Sequence, residues 1–478
     1  MNRLYRALPP PSASAINSFL ASPNYCIVVM AFTGVAHILS LELPAYLLFA
    51  SIFIYTCLMG EDLLPLIPLF PACYILPSAQ DNPGKNTGTV FSGFSGVLIG
   101  ICGCLMIASL VIHIVRNRKQ FFTGRSRCLT GLLLLSSAYL LGGIGSAGYS
   151  QRWANHLLYA LMQAASLTLP YWLLSRGVNW KNVRRDYFAW MGFALGGVLS
   201  LEILWSYCTQ HVIVDGIIRR TNIFVGWGMY NNMGFFLAMM IPFAFYLATK
   251  HHRGWIGTVI GSFYLICVFL TCSRGSIIGG MLVYALCVLI MLLYAQNKRH
   301  NFIALVSVLT VVGLILLFFH DELYRLFSQL LKKKMDMSDR DVVYAEGLKL
   351  FTKSPLFGTS FFSPDFLPWD FATLESFSGL IPPRWHNTFI QLMASCGLVG
   401  LGAYVFHRVQ TVKMLFSRKH KEQVFIGCAI LVLLLCSLLD CHFFNLGPTM
   451  FYSMALAYAE FAPEPRSILA DPPTQVTT

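Results

Sequence analysis

The stretch "SIIGGMLVYALCVLIMLLYAQ", residues 276–296, runs for 21 positions without a charge. As an α-helix, at about 1.5 Å per residue, it extends roughly 30 Å, the depth of a bilayer's hydrocarbon core. Arg274 stands before it, and Lys298 and Arg299 follow it, where long charged side chains reach the membrane surfaces. Runs of the same kind recur along all 478 residues, of which 56% are hydrophobic and 12% charged, with a mean hydropathy of +0.63. A soluble domain of this length has no use for so much apolar surface. The composition therefore specifies an all-α, polytopic integral membrane protein. A transmembrane β-barrel would show short alternating strands instead, and the sequence reads as having none.

Working outward, fourteen candidate spans fall at about 24–41, 44–58, 62–77, 93–115, 128–148, 155–175, 187–207, 226–248, 255–271, 276–296, 302–320, 386–406, 424–440 and 441–462. The second, third, thirteenth and fourteenth are short or run into a neighbour, so the expectation is about 12–14 transmembrane helices. Lys and Arg set the orientation. Alternate short segments, among them Arg116 to Arg127, Arg176 to Arg185 and Arg408 to Lys421, hold 21 basic residues against 5 in the others. The positive-inside rule makes the first set cytoplasmic and puts both termini inside. The net charge of +13 is then loop charge and implies no nucleic-acid partner. Residues 1–22 are too polar for a secretory signal, so the first helix is expected to serve as an uncleaved anchor. Most of the 14 cysteines lie inside apolar runs and none forms a Cys-x-x-Cys pair, which indicates neither a disulfide framework nor a zinc site.

This divides the chain into four parts: N-terminal membrane helices (1–207), helices carrying external arginines (208–320), one long extracytoplasmic loop (321–385) and C-terminal helices with a short tail (386–478). Within the loop, "SDRDVVYAEGLKLFTKSP" reads as an amphipathic helix, with Ser338 as its N-cap and Pro355 ending it. Gly275 and Gly279 have the small-xxx-small spacing of closely packed membrane helices.

The orientation gathers an unusual set on one face: Arg219 and Arg220 before one span, Ser273 and Arg274 at a turn, Arg340 opening the loop helix, and Arg384 and His386 before another span. Guanidinium forks at a membrane boundary suit a phosphate-bearing ligand, because they stay charged and bind its oxygens in pairs. The alternative is snorkelling to the headgroups. One of the adjacent pair Arg219 and Arg220 is expected to face away. His386 either serves as a general base or caps a helix start, and Asn387 has the chemistry of an N-cap. Asp440 and His442 either join the site or pair with each other. "DRD" at 339–341 is a weak metal motif, since carboxylates are common in a first helical turn.

Four stretches resemble the O-antigen ligase and O-antigen polymerase superfamily of bacterial envelope glycan enzymes. These are "RRTNIFVGWGMYNNMGFFLAMMIPF", "TCSRGSIIGG", "SDRDVVYAEGLKLFTKSPLFGTSF" and "HNTFIQLMASCGLVGLGAYV", in this order over roughly residues 210–460. The resemblance implies a GT-C-like architecture in the bacterial cytoplasmic membrane. It also implies glycan transfer at the extracytoplasmic face, without metal or cofactor. The donor would be a polyprenyl-diphosphate-linked glycan and the acceptor another glycan or lipid-linked hydroxyl. Carried over by position, Arg220 and Arg274, with Arg219 and Arg384 near them, would hold the diphosphate. His386 would activate the acceptor with Arg340 assisting, and Ser273, Asp440 and His442 would be accessory. Where relatives often have Asn-Pro, this chain has Asn231–Asn232. The competing class is a flippase or secondary transporter for lipid-linked sugars, which would favour inverted repeats and charges at mid-membrane.

Overall fold

The computed structural model describes residues 16, 18–76, 93–124, 126–149, 153–181, 183, 186–225, 228–328, 340–359, 385–417 and 421–462. Seventeen α-helices run through them: α1 Pro23–Ile38, α2 Glu42–Met59, α3 Leu66–Ile75, α4 Gly93–Arg116, α5 Arg118–Thr123, α6 Leu129–Gly145, α7 Trp153–Gly177, α8 Tyr187–Thr209, α9 Tyr230–Lys250, α10 Trp255–Leu270, α11 Arg274–Tyr294, α12 Lys298–Phe318, α13 His320–Leu326, α14 Arg340–Lys353, α15 Thr388–Ser417, α16 Lys421–Ser437 and α17 Leu446–Phe461. Each of the fourteen expected spans coincides with one of them. Among the described residues, nine helices are long and apolar enough to cross a membrane. The chain is an all-α polytopic membrane protein.

The bundle is organised around α9, which packs on α8, α10, α11 and α16 and buries nearly every side chain from Met233 to Thr249. On the other side α7 packs on α6 and α17, and α15 on α6. The outermost helices, α4 and α12, present long apolar faces outward, as lipid-facing helices do. Gly275 and Gly279 bring α11 close to α16. A Cβ at Gly279 would fall 2.8 Å from the Cys436 sulfur, and one at Gly275 would touch Leu439 at 3.3 Å. All fourteen cysteines are thiols rather than disulfides.

Two short hairpins precede α9, where no strand was expected. β1 (Ile213–Val214) pairs antiparallel with β2 (Ile217–Ile218), and β3 (Phe224–Val225) with β4 (Gly228–Met229). The first turns through Asp215 and Gly216, with φ of 54° and 72°, the doubly left-handed turn that Asp-Gly favours. The Asp-Gly pair in "IVDGII" was the local signal for it. Val212, Ile218 and Ile223 bury against Cys272, with Tyr230, Leu326 and Phe327 around them. This small cluster ties the hairpin to the α10–α11 turn and to the end of α13.

α15 is broken. Gly397 has φ 61° and ψ −156°, so two half-helices meet there. Lipid supplies no hydrogen bonds to the groups a break exposes, so protein must. The end of the loop helix does so. Leu398 N donates to Pro355 O (2.8 Å) and Val399 N to Leu356 O (3.1 Å), while Thr359 N donates to Ala394 O (2.9 Å). The approach requires glycine on both sides. A Cβ on Gly397 would lie 2.4 Å from the Leu356 carbonyl, and one on Gly358 (φ 74°) would lie 2.3 Å from the Ser395 carbonyl carbon. The Pro-Leu-x-Gly sequence after α14 is thus a plug for the broken helix.

The twelfth span was expected at about 386–406, and α15 continues past that end to Ser417. Arg408 lies within the helix, its guanidinium 4.3–4.9 Å from the rings of Phe443, Tyr404 and Tyr452 and donating to Tyr452 Oη (2.9 Å). Three ring faces and a phenol accommodate the charge where an apolar reading does not anticipate one.

Candidate functional site

The basic half of the site is built on the loop before α9 and the turn before α11. Arg219 N donates to Val212 O (2.8 Å), which anchors the end of the first hairpin. The Arg219 side chain, 51% exposed, points to the exposed Asp215 carboxylate 3.7 Å away. Arg220 takes the other direction, and its guanidinium carbon sits 4.9 Å from the centre of the Tyr230 ring. A guanidinium stacked by its face keeps its edge N–H donors available for an anion. Arg274 is the first residue of α11, so it stands at the positive end of a helix dipole. The turn before it is strained, with φ of 52° at Cys272. Ile218 and Ile223, on either side of Arg219 and Arg220, pack against Cys272, which places the two arginine-bearing segments side by side.

The second half centres on His386, whose φ of 50° is again in the left-handed region. Asn387 caps the following half-helix: its Oδ1 accepts from Phe389 N (2.9 Å) and Ile390 N (3.2 Å), and its Nδ2 donates to Leu438 O (2.9 Å). The expected N-cap is therefore present. Tyr344 of α14 donates to His386 O at 3.1 Å, so the loop helix holds the histidine's backbone from outside. Trp385, buried between Leu350 and Ala394, donates its backbone N–H to Gln391 Oε1 (3.1 Å).

His386 Nδ1 lies 3.1 Å from Asp440 Oδ1, with side-chain exposures of 45% and 15%. Burial works to raise the Asp440 carboxyl. The His386 hydrogen bond, the His442 and His386 charges and the Cys441 N–H outweigh it and hold the group well below the usual carboxylate range. An ionised carboxylate accepts, so the proton between them resides on Nδ1. That leaves the Nε2 lone pair of a neutral His386 free to take a proton from elsewhere.

The opening residues of α9 join the two halves. Asn231 O accepts from Ser276 Oγ (3.3 Å), and Ser276 Oγ lies 2.8 Å from Ser273 Oγ. Gly234, three residues on and on the same face, abuts Thr271 and Ser276; a Cβ there would fall 2.5 Å from Thr271 Oγ1. Asn232 and Phe235 form the adjacent face. Asn232 Oδ1 accepts from Asn445 Nδ2 (2.8 Å), and the Phe235 ring stacks on His442 at 3.9 Å. From the far side, Cys436 Sγ donates to Gly275 O (3.5 Å) just below Asp440.

The structure thus brings Arg220, Ser273, Arg274, His386, Asp440 and His442 to one end of the bundle. Asp440 joins His386, and His442 lies beside it. Arg219 and Arg220 have different partners, the Asp215 carboxylate for the first and the Tyr230 ring for the second. Arg340 heads α14 one helical turn before Tyr344, but its side chain is outside the described part. Arg384, Ser338 and Asp339 fall outside the described residues. Tyr230, Tyr344 and Asn445 were not singled out from sequence, because a lone aromatic or amide beside a span has no pattern of its own. Among the described residues no group of three or more His, Cys, Asp or Glu converges as a metal site.

No curated protein matches the chain. Residues 256–405 match the family described as O-Antigen ligase, a segment that contains α10, α11, the Arg274 turn, α14, His386 and the first part of α15. The match supports the resemblance: it takes in the second, third and fourth of the four stretches, while the first, residues 219–243, lies outside it.

Proposed function

We propose that the protein moves a glycan from a polyprenyl-diphosphate carrier to an acceptor hydroxyl at the extracytoplasmic face of the bacterial cytoplasmic membrane. The observation that carries this reading is the convergence of Arg220 and Arg274 with the His386–Asp440 pair around the first turns of α9. Arg220 and Arg274 bind the diphosphate and stabilise the negative charge that grows on it as the anomeric C–O bond breaks. His386 accepts the acceptor's hydroxyl proton at Nε2 as the new glycosidic bond forms, and Asp440 balances the imidazolium charge. The lipid tail of the carrier fixes the diphosphate at the depth of the membrane boundary, which is why basic groups stand there. The family match supports glycan ligase or polymerase chemistry in general. The positive-inside distribution supports the extracytoplasmic placement.

The test is reconstitution of the purified protein with a lipid-diphosphate glycan, comparing wild type with His386→Ala and Arg274→Ala. Product formation is expected to collapse in both while each variant still inserts and folds. Full activity in either would remove that residue from the mechanism.

A further inference from the structure

We propose that Asn232 is a positioning residue that locks the proton-accepting half of the site to the diphosphate-binding half, through the Asn445 amide. The inference rests on the functional reading above and concerns how its two halves keep register.

The two halves come from elements far apart in the chain. Arg220 and Arg274 ride on the loop before α9 and the start of α11, whereas Asp440 and His442 ride on the turn between α16 and α17. α9 touches both with neighbouring faces of a single turn. Asn231 and Gly234 seat the Ser273–Ser276 segment, and Asn232 and Phe235 seat the 440–445 turn. Of these, Asn232 supplies the directional contact to the second half. Phe235 stacking lets the His442 ring slide in its plane, whereas a 2.8 Å amide hydrogen bond fixes a point.

Asn445 is the appropriate receiver. It is the N-cap of α17, and its Nδ2 also lies 3.5 Å from His442 Nδ1. The same turn is held elsewhere through its carbonyls: Tyr159 Oη donates to Phe444 O (2.6 Å) and Gln163 Nε2 to Phe443 O (3.0 Å), both from α7. Those bonds fix the turn to α7. Asn232–Asn445 is the side-chain tie from α9 to this turn, and with the Cys436–Gly275 bond between α16 and α11 it relates Asp440 and His386 to the diphosphate-binding half. Transfer requires the acceptor oxygen and the leaving group to be aligned, so slack in this tie reduces the rate of the aligned step more than the binding of either partner.

The full-length protein, purified in detergent, is compared with Asn232→Leu, Asn445→Leu, the double variant and Asn232→Asp. Farnesyl diphosphate serves as the binding probe. Transfer is measured with lipid-linked glycan extracted from the producing cells, and folding is followed by the thermal midpoint. Asn232→Leu is expected to bind farnesyl diphosphate within about twofold of wild type, while kcat falls roughly 10- to 100-fold and KM changes little. Asn232→Asp keeps an acceptor oxygen for Asn445 Nδ2 and recovers most of the lost kcat. The double variant is no slower than the slower single one, because both remove the same bond. Should Leu at 232 prevent folding, Asn445→Leu carries the same expectation from the other end. A kcat for Asn232→Leu within twofold of wild type, or multiplicative losses in the double variant, overturns the inference. A wild-type protein that neither binds farnesyl diphosphate nor transfers glycan overturns the functional reading itself, a result distinct from a selective failure at Asn232.

Discussion

Replacing Gly397 by alanine tests the architecture of the site without touching a polar side chain. In an unbroken membrane helix this change would stabilise by about 1 kcal/mol, since alanine is the better helix former. In the observed structure the sign reverses. The pair φ 61°, ψ −156° belongs to a region that is essentially reserved for glycine, and forcing an alanine into it costs on the order of 1–3 kcal/mol. The new Cβ also lies 2.4 Å from the carbonyl carbon and oxygen of Leu356, closer than any real contact, so the plug must withdraw. Withdrawal breaks the three backbone hydrogen bonds from Leu398, Val399 and Thr359, each worth about 1 kcal/mol net and more where no water replaces it. The sum is a destabilisation of about 4–6 kcal/mol with the loop end withdrawn and residue 397 still strained, or a smaller one if the backbone at 397 also relaxes. Detachment displaces α14 and with it the Tyr344 bond to the His386 carbonyl, so transfer is lost in either case. The assay pairs thermal unfolding in detergent with the transfer reaction. A Gly397→Ala protein that melts at or above the wild-type temperature and transfers normally would refute the plugged break and the role assigned to the loop end.

The arginine assignments predict an asymmetry. Arg220→Ala and Arg274→Ala should each weaken farnesyl diphosphate binding roughly 10- to 100-fold, the loss of about 1.5–3 kcal/mol for a charge-assisted bond, and Arg219→Ala by about twofold or less. Equal effects at 219 and 220, read by calorimetry, would contradict the opposite directions of the two side chains. Asp440→Asn should leave that binding in place and lower kcat on the order of 10²- to 10⁴-fold, because the His386 proton acceptor loses its partner; retention of half the activity would end that assignment. The same variant isolates a pH effect on stability. Asp440 has its folded carboxyl below the ordinary value. Its contribution is therefore full above the unfolded pKa of about 4 and lost as pH falls below it towards the folded value. Melting curves of wild type and Asp440→Asn should converge below about pH 4 and stay apart above it; a gap that widens with acid would reverse the sign.

The helices were legible because each rests on a local signal, an apolar run with at most one charge, and the fourteen expected spans all fall on helices. The exception at Arg408 is physical. An arginine ends an apolar run in sequence, but Tyr404, Phe443 and Tyr452 supply ring faces that let the helix continue past it. The hairpin at Asp215–Gly216 had a local signal too, which the weight of apolar composition obscured. The partners within the site had none. His386 and Asp440 are 54 residues apart and Asn232 and Asn445 are 213 apart, and nothing in the spacing of one predicts the other. The charge count could assign the arginines and His386 to one face; it could not separate Arg219 from Arg220, since that choice is made by the ring of Tyr230.

The broken helix explains why the long loop and the site behave as one structure. The half-helix 388–396 is too short to hold itself, and its first turn carries the Asn387 cap directly after His386. Its far end presents a carbonyl, Ala394 O, that the next half-helix does not satisfy, and the loop's Thr359 N–H meets it. His386 is therefore oriented from both ends by groups outside its own helix: Asp440 and Tyr344 at the start, and the segment Pro355–Thr359 at the finish. The strain at His386, the glycines at 358 and 397 and the docking of α14 are thus parts of a single device. It fixes His386 through groups outside its own helix, which a half-helix of this length could not do alone.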